Sequence, residues 1–167
     1  RCLVGSEMCI RDSRYRAKFL MQIIAGLLII ASGTWVSNLH GFLWIGQWPS
    51  WIGCIVTVIF IIYVVNAVNL IDGIDGLASG LSAVALIWYS YVFYISGQYV
   101  CMMLAAATLG TLVPFFYYNV FGKASTHTKI FMGDTGSLTI GLMIVFLSIE
   151  VFKICLLYTS PSPRDIS

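Results

Sequence analysis

The feature that most constrains this chain is a set of five long apolar runs, at about Ala17–Val36, Trp51–Val65, Leu77–Ile95, Tyr99–Tyr118 and Ser137–Ile154. Crossing a bilayer takes about 20 mostly apolar residues in a helix. Lipid offers no partner to a free backbone N–H or C=O, so only helices and closed barrels cross it. The ten-residue alternation of barrel strands is absent. The expected fold is therefore all-α, a polytopic membrane protein with about five transmembrane helices. The second run is short, but Trp44 and Trp48, in an interfacial turn over Gly41–Ser50, could mark its outer boundary. Pro114, late in the fourth run, is expected to kink that helix.

Charge supports the same reading. Charged residues make up 10% of the chain and hydrophobic residues 59%, against about 25% charged in a soluble domain. A net charge of +2, with no basic patch interleaved with aromatics, gives no footing for nucleic acid. The bilayer is the expected partner.

The two ends read differently from the middle. One codon choice for Cys155 to Ser160 has a reverse complement that encodes Met8 to Asp12. An inverted DNA repeat read in frame at both termini points to translated adapter, so residues 1–13 and 155–167 are set aside from fold reasoning. Residues 14–154 are expected to be an internal piece of a longer membrane protein. Within it, Cys54 and Cys101 show neither metal-ligand spacing nor a disulfide framework and read as small buried hydrophobes.

Loop charge sets the orientation. Arg14, Arg16 and Lys18 stand at the start of the first run, and five spans return the second-to-third and fourth-to-fifth loops to that side. The latter loop adds Lys123 and Lys129, and basic loops mark the cytoplasm. Asp72, Asp75 and Asp134 are thus expected on one cytoplasmic face. Glu150 falls toward the other face, as a surface or packing residue.

"NLIDGIDG", Asn69 to Gly76, places two carboxylates three residues apart, each followed by glycine. On a helical turn they share a face, and the glycines permit tight turns or close ligand approach. The plain alternative is a pair of turns capping the third helix. Charge beside a bilayer is costly and tends to mark function. The spacing fits neither an EF-hand loop nor a dinucleotide-binding glycine loop. In "KIFMGDTGSLTIG", Lys129 to Gly141, Asp134 leads into an apolar helix that Thr135 or Ser137 could cap. A helix start suits an anion, and a carboxylate suits Mg²⁺. Asn66, Asn69 and Asn119 stand at helix ends on the same face. Such amides can hold backbone groups, a metal or a nucleotide. His127, alone in a polar loop, reads as solvated.

"NAVNLIDGIDGLASG" (Asn66 to Gly80) and "KIFMGDTGSLTIG" together resemble two signatures of the polyprenyl-phosphate N-acetylhexosamine-1-phosphate transferases, and "RAKFLMQ" (Arg16 to Gln22) resembles a third segment. The resemblance covers essentially all of residues 14–154. It implies attack by undecaprenyl phosphate on the β-phosphate of a UDP-amino sugar, releasing UMP, at the cytoplasmic face of a bacterial inner membrane. Catalysis of this kind is mostly positioning and charge neutralisation. By motif position the resemblance makes Asp134 and Asn69 the ligands of Mg²⁺, with Mn²⁺ as a substitute. Phe131 would stack on uracil and Asp75 would accept hydrogen bonds from the nucleotide. Asp72 would support the same pocket or the phosphates. Asn66 and Asn119 would shape the site, and Lys18 would attract phosphate. The isoleucines of "NLIDGIDG" lean toward a GlcNAc-1-phosphate transferase; the alternative is a phospho-MurNAc-pentapeptide transferase. A homodimer is left open.

Two rivals come from other classes. "FMGDTGS" contains an aspartic-protease-like string, but a protease needs a proton-sharing dyad. A transporter would hold its acids near the midplane rather than at helix ends. The family's paired aspartates and histidine loop are missing from the chain as written. The 167-residue chain is therefore expected to be catalytically dead, and the whole protein active. Robust UMP release from UDP-GlcNAc and undecaprenyl phosphate by the purified chain would overturn this.

Overall fold

The computed structural model describes residues 15–36, 49–122 and 128–159, with side chains from Lys18 to Cys155. Residues 1–14 and 160–167, which take in all of the first adapter-like end and most of the second, lie outside the described residues, as do the Trp44–Trp48 turn, Lys123 and His127. Among the described residues there are five helices and no strand: α1 (Tyr15–Ala31), α2 (Ser50–Ile71), α3 (Leu77–Ile95), α4 (Tyr99–Phe121) and α5 (Gly133–Thr159). Helices α2 to α5 are each long and apolar enough to cross a membrane. The all-α polytopic expectation holds, with one correction.

The correction is α1. The first apolar run was expected to continue to Val36, but the helix stops at Ala31. Gly33 takes φ +81°, and the amides of Gly33 and Thr34 turn back onto the carbonyls of Ile30 and Ile29. This pattern closes a helix C-terminus, and a left-handed glycine favours it. Ser32 adds a 2.7 Å side-chain bond to the Ile29 carbonyl. An apolar composition did not reveal the stop. Helix α3 matches its expected bounds, Leu77–Ile95, and the other three run longer than expected. Helix α2 continues through Asn66 and Asn69, α4 continues past Pro114 to Phe121, and α5 begins at Gly133.

Helix α5 is the spine. It packs along α2 and against α3, while α3 pairs with α4 and α1 rests on α2. One core joins Leu86 and Phe93 of α3, Ala105 and Leu112 of α4, and Leu147 of α5. A second joins Ile61 and Val65 of α2 to Val145 and Ile149 of α5. Helices α2 and α5 approach so closely that a Cβ at Gly141 would lie 3.0 Å from the Val65 Cα. The outward faces, with Val84, Trp88, Met103 and Val113, are apolar and exposed, as lipid-facing surface is.

Helix α1 is tied to α5 at both ends. Lys18 pairs with Asp134 at 2.5 Å, and Thr34 donates to Glu150 at 3.1 Å. Each contact joins residues 116 positions apart, so one register satisfies both. At about 1.5 Å per residue the two ties lie roughly 24 Å apart along α5. Glu150 also takes Lys153 at 2.9 Å. It is thus an interhelix anchor at the far end of the bundle.

The short α2–α3 connection depends on Gly76, the residue before α3. It takes φ +73°, and a Cβ there would meet Val120 Cγ2 at 2.4 Å. Its space is filled by α4, which removes the expectation that a ligand approaches there. A Gly76→Ala variant is expected to lose about 1–3 kcal/mol from the backbone alone, with the overlap added. At Gly73, where a Cβ would meet only the Leu70 carbonyl at 3.7 Å, alanine should change stability by less than about 0.5 kcal/mol. Thermal unfolding in detergent compares the two.

Candidate active site at one end of the bundle

The N-terminal ends of α1, α3 and α5 meet the C-terminal ends of α2 and α4 at one end of the bundle. Asp134 stands in the first turn of α5, where a carboxylate is favoured by the helix dipole. Its Oδ2 meets the Lys18 ammonium from α1 at 2.5 Å. Its Oδ1 accepts the Asn69 amide from α2 at 3.2 Å. The same amide donates to Ser137 Oγ at 2.7 Å. Ser137 is fully buried and lies one turn inside α5, where its hydroxyl faces the carbonyls of Gly133 and Asp134. It therefore holds Asn69 and does not serve as the expected helix cap.

Asp72 follows the last residue of α2, and its backbone N–H donates to the Val68 carbonyl. Its carboxyl is pushed above the ordinary value of 3.8, first by burial and then by the charge of Asp134. These two carboxylates thus feel one another across the α2–α5 contact. The cap of α3 is Gly76, so the Asp75-Gly76 turn does precede the helix as the plain reading had it, but no side chain caps it.

A second group lies beside the first. The Lys129 ammonium sits 2.5 Å from Asp75 Oδ2 and 5.4 Å from the centre of the Phe131 ring. Phe131 is 71% exposed and borders an open cleft of about 340 Å³ between α4 and α5. Asn119 holds the two loops together: its Oδ1 accepts the Gly76 amide at 2.6 Å and its Nδ2 donates to the Ile130 carbonyl at 2.8 Å. Buried in that role, it satisfies backbone groups and frames the site. Asn66 donates to Gln22 Oε1 at 2.9 Å and to the Ile62 carbonyl at 2.7 Å, joining α1 to α2.

The structure thus gathers Lys18, Asn69, Asp72 and Asp134 in one cluster, and Asp75 and Phe131 in its neighbour. Asn66 and Asn119 serve as struts. Gln22 was not singled out from the sequence, Lys129 was read only as a loop charge, and Ser137 only as a possible helix cap. Gln22 carried a signal, a buried amide in an apolar run.

The donor set bears on a metal. Among the described residues no three His, Cys, Asp or Glu side chains gather as a ready cage. Mg²⁺ is commonly held by one or two carboxylates and completed by substrate phosphates, and Asp134 beside Asp72 fits that mode. The Lys18 ammonium already marks the Asp134 carboxylate as a place for a cation. Asn69 turns its NH₂ toward Asp134, so its amide must rotate to offer oxygen.

Mutual repulsion and burial make ionised Asp72 a strain on the fold. A carboxyl whose folded value is raised binds its proton more readily folded than unfolded, so its unfavourable contribution grows as pH rises. An Asp72→Asn variant is expected to unfold at a higher temperature than the parent near neutral pH. The gain should disappear as pH falls below the ordinary carboxylate value, where both side chains are neutral. Melting curves across that range check the sign.

Comparison with known proteins follows the same residues. The model of the family described as "Glycosyl transferase family 4" matches residues 9–152. The chain is 36% identical over 142 residues to the phospho-N-acetylmuramoyl-pentapeptide-transferase of Streptococcus equi subsp. zooepidemicus (strain MGCS10565), covering 81% of this chain and 40% of that protein. The like-named protein of Streptococcus mutans serotype c is 37% identical over 142 residues, 80% of this chain and 39% of the relative. That of Rubrobacter xylanophilus is 40% identical over 64 residues, 38% and 18%. The chain spans about 40% of the length of the first of these relatives. No solved structure matches. With the family model covering most of the chain, and both motif loops within it, this chain belongs to glycosyl transferase family 4.

Proposed function

We propose that the whole protein transfers a sugar 1-phosphate from a UDP-sugar to a polyprenyl phosphate and releases UMP. The observation that carries this is the meeting of Lys18, Asn69, Asp72 and Asp134, from three helices, at one end of an apolar bundle. A water-borne diphosphate and a lipid-borne phosphate can both reach such a place. Its loop charges favour the cytoplasmic side of a bacterial inner membrane.

The chain's own groups then have definite tasks. Lys18 offers a cation to phosphate oxygens, and Asp134 and Asn69 offer oxygen ligands. Asp72 adds negative charge that a bound cation would relieve. Phe131, largely exposed, would stack on uracil, and Asp75 would accept hydrogen bonds from the nucleotide. Asn119 keeps the two loops at a fixed separation. Mg²⁺, or Mn²⁺, would supply charge neutralisation on the diphosphate and the leaving phosphate.

The printed names of the relatives favour phospho-MurNAc-pentapeptide as the transferred group over GlcNAc 1-phosphate. The isoleucines that leaned the other way carry no weight against this. Ile74 is largely exposed and Ile71 ends α2, so both suit a membrane surface whatever the sugar. A protease reading fares worse, because Asp134 is engaged by the Lys18 ammonium and family membership points elsewhere.

The test uses the whole protein in detergent or nanodiscs with undecaprenyl phosphate. UMP release is expected with UDP-MurNAc-pentapeptide in preference to UDP-GlcNAc, and chelation of divalent cations should abolish it. Asp134→Asn should lower kcat by about 100-fold or more, on the scale of losing one charge-stabilising group. No turnover of either sugar would sink the reading; a preference for UDP-GlcNAc would reverse only the branch.

A further inference from the structure

Lys129 occupies the two features a nucleoside would need. Its ammonium lies over the face of the Phe131 ring, 5.4 Å from the centre, and 2.5 Å from Asp75 Oδ2. Phe131 is an apolar side chain left 71% exposed beside an open cleft with Leu112, Phe115, Met132 and Ile140. An exposed ring face is a stacking surface, and a cation is drawn to it by the ring's quadrupole. The placement is built into the fold. Buried Asn119 bonds to the Gly76 amide, next to Asp75, and to the Ile130 carbonyl, between Lys129 and Phe131. One strut therefore sets the distance between Lys129 and its carboxylate.

We propose that Lys129 is an internal stand-in for the nucleoside and thereby a specificity-determining residue for nucleotides over nucleosides. A base can stack on Phe131 and bond to Asp75 only after the ammonium leaves both. The displaced cation then lacks an anionic partner. A nucleoside diphosphate brings its own negative charge to the same end of the bundle and can receive the ammonium; a neutral nucleoside cannot. The latch therefore costs uridine more than UDP. Asp75 and Lys129 are both part-exposed, and contacts of this kind are worth up to about fivefold each in an equilibrium.

This inference rests on the UDP-sugar reading, and the test separates the two. Uridine and UDP binding are measured by calorimetry on the whole protein, with wild type, Lys129→Met and Lys129→Arg. In Lys129→Met, uridine is expected to bind about two- to tenfold more tightly, and the preference for UDP over uridine to shrink. Lys129→Arg keeps the charge and should stay near wild type, which also separates a latch from a folding defect. In wild type, added salt should tighten uridine binding as the ion pair is screened. Unchanged uridine affinity in Lys129→Met, with UDP unchanged or weakened, overturns the latch and leaves Lys129 as a surface pair or a direct phosphate ligand. A wild-type protein that turns over UDP-sugar under that outcome keeps the function and loses only the latch. A wild type that binds neither uridine nor UDP fells both.

Discussion

Asp134 places a negative charge in the first turn of an apolar helix, where the dipole welcomes it and lipid does not. That charge draws Lys18 from α1 and Asn69 from α2 to the start of α5. The arrangement of the site depends on this junction. Burial of apolar surface cannot set it, because hydrocarbon surrounds helices and solvates their apolar faces almost equally well. Register in such a bundle must come from close packing and from its few polar groups. Asp134, Glu150, Asn66 and Asn69 are among those groups, and the Tyr89–Ser148 hydroxyl pair at 2.7 Å joins α3 to α5 in the same way.

The spine helix α5 shows both devices at work. Gly141 lets it approach α2 at the level of Val65, and the cores on either side draw on its Val145, Leu147 and Ile149. Its two acids then tie α1 in place with a single offset. Helix α1 is too short to be held by length alone. The Gln22–Asn66 bond fixes it along α2 as well, and together these contacts keep Lys18 at the site. An anchor at the far end of the bundle thus contributes to geometry at the near end, through a rigid helix.

Charge is concentrated at this end of the bundle. Two aspartates are held near enough for one to raise the proton affinity of the other, while two lysines occupy carboxylates without cancelling the whole. Like charges held together in this way cost the fold stability. Stability given up locally in this way is common where binding is needed.

The apolar runs made the all-α membrane fold legible, and the parity of spans put Asp72, Asp75 and Asp134 on one face. Asn69 and Asp134 were readable as partners only through the resemblance of their motifs. Helix α1 was misjudged because Ser32 and Gly33 sit inside an apolar run, where hydropathy counts composition and a left-handed glycine changes only geometry. The Asp75–Lys129 and Gln22–Asn66 pairs join residues 54 and 44 positions apart, and no local pattern encodes such a meeting. The same holds for Gly76, which looked like room for a ligand and proved to be room for Val120. By itself, then, the sequence determined which segments lie in lipid and which end of them carries the acids, because both follow from transfer energies that add along the chain. Which amide faces which carboxylate, and which lysine covers which ring, was decided only when five helices packed at one register, because those contacts depend on positions that the chain brings together from far apart.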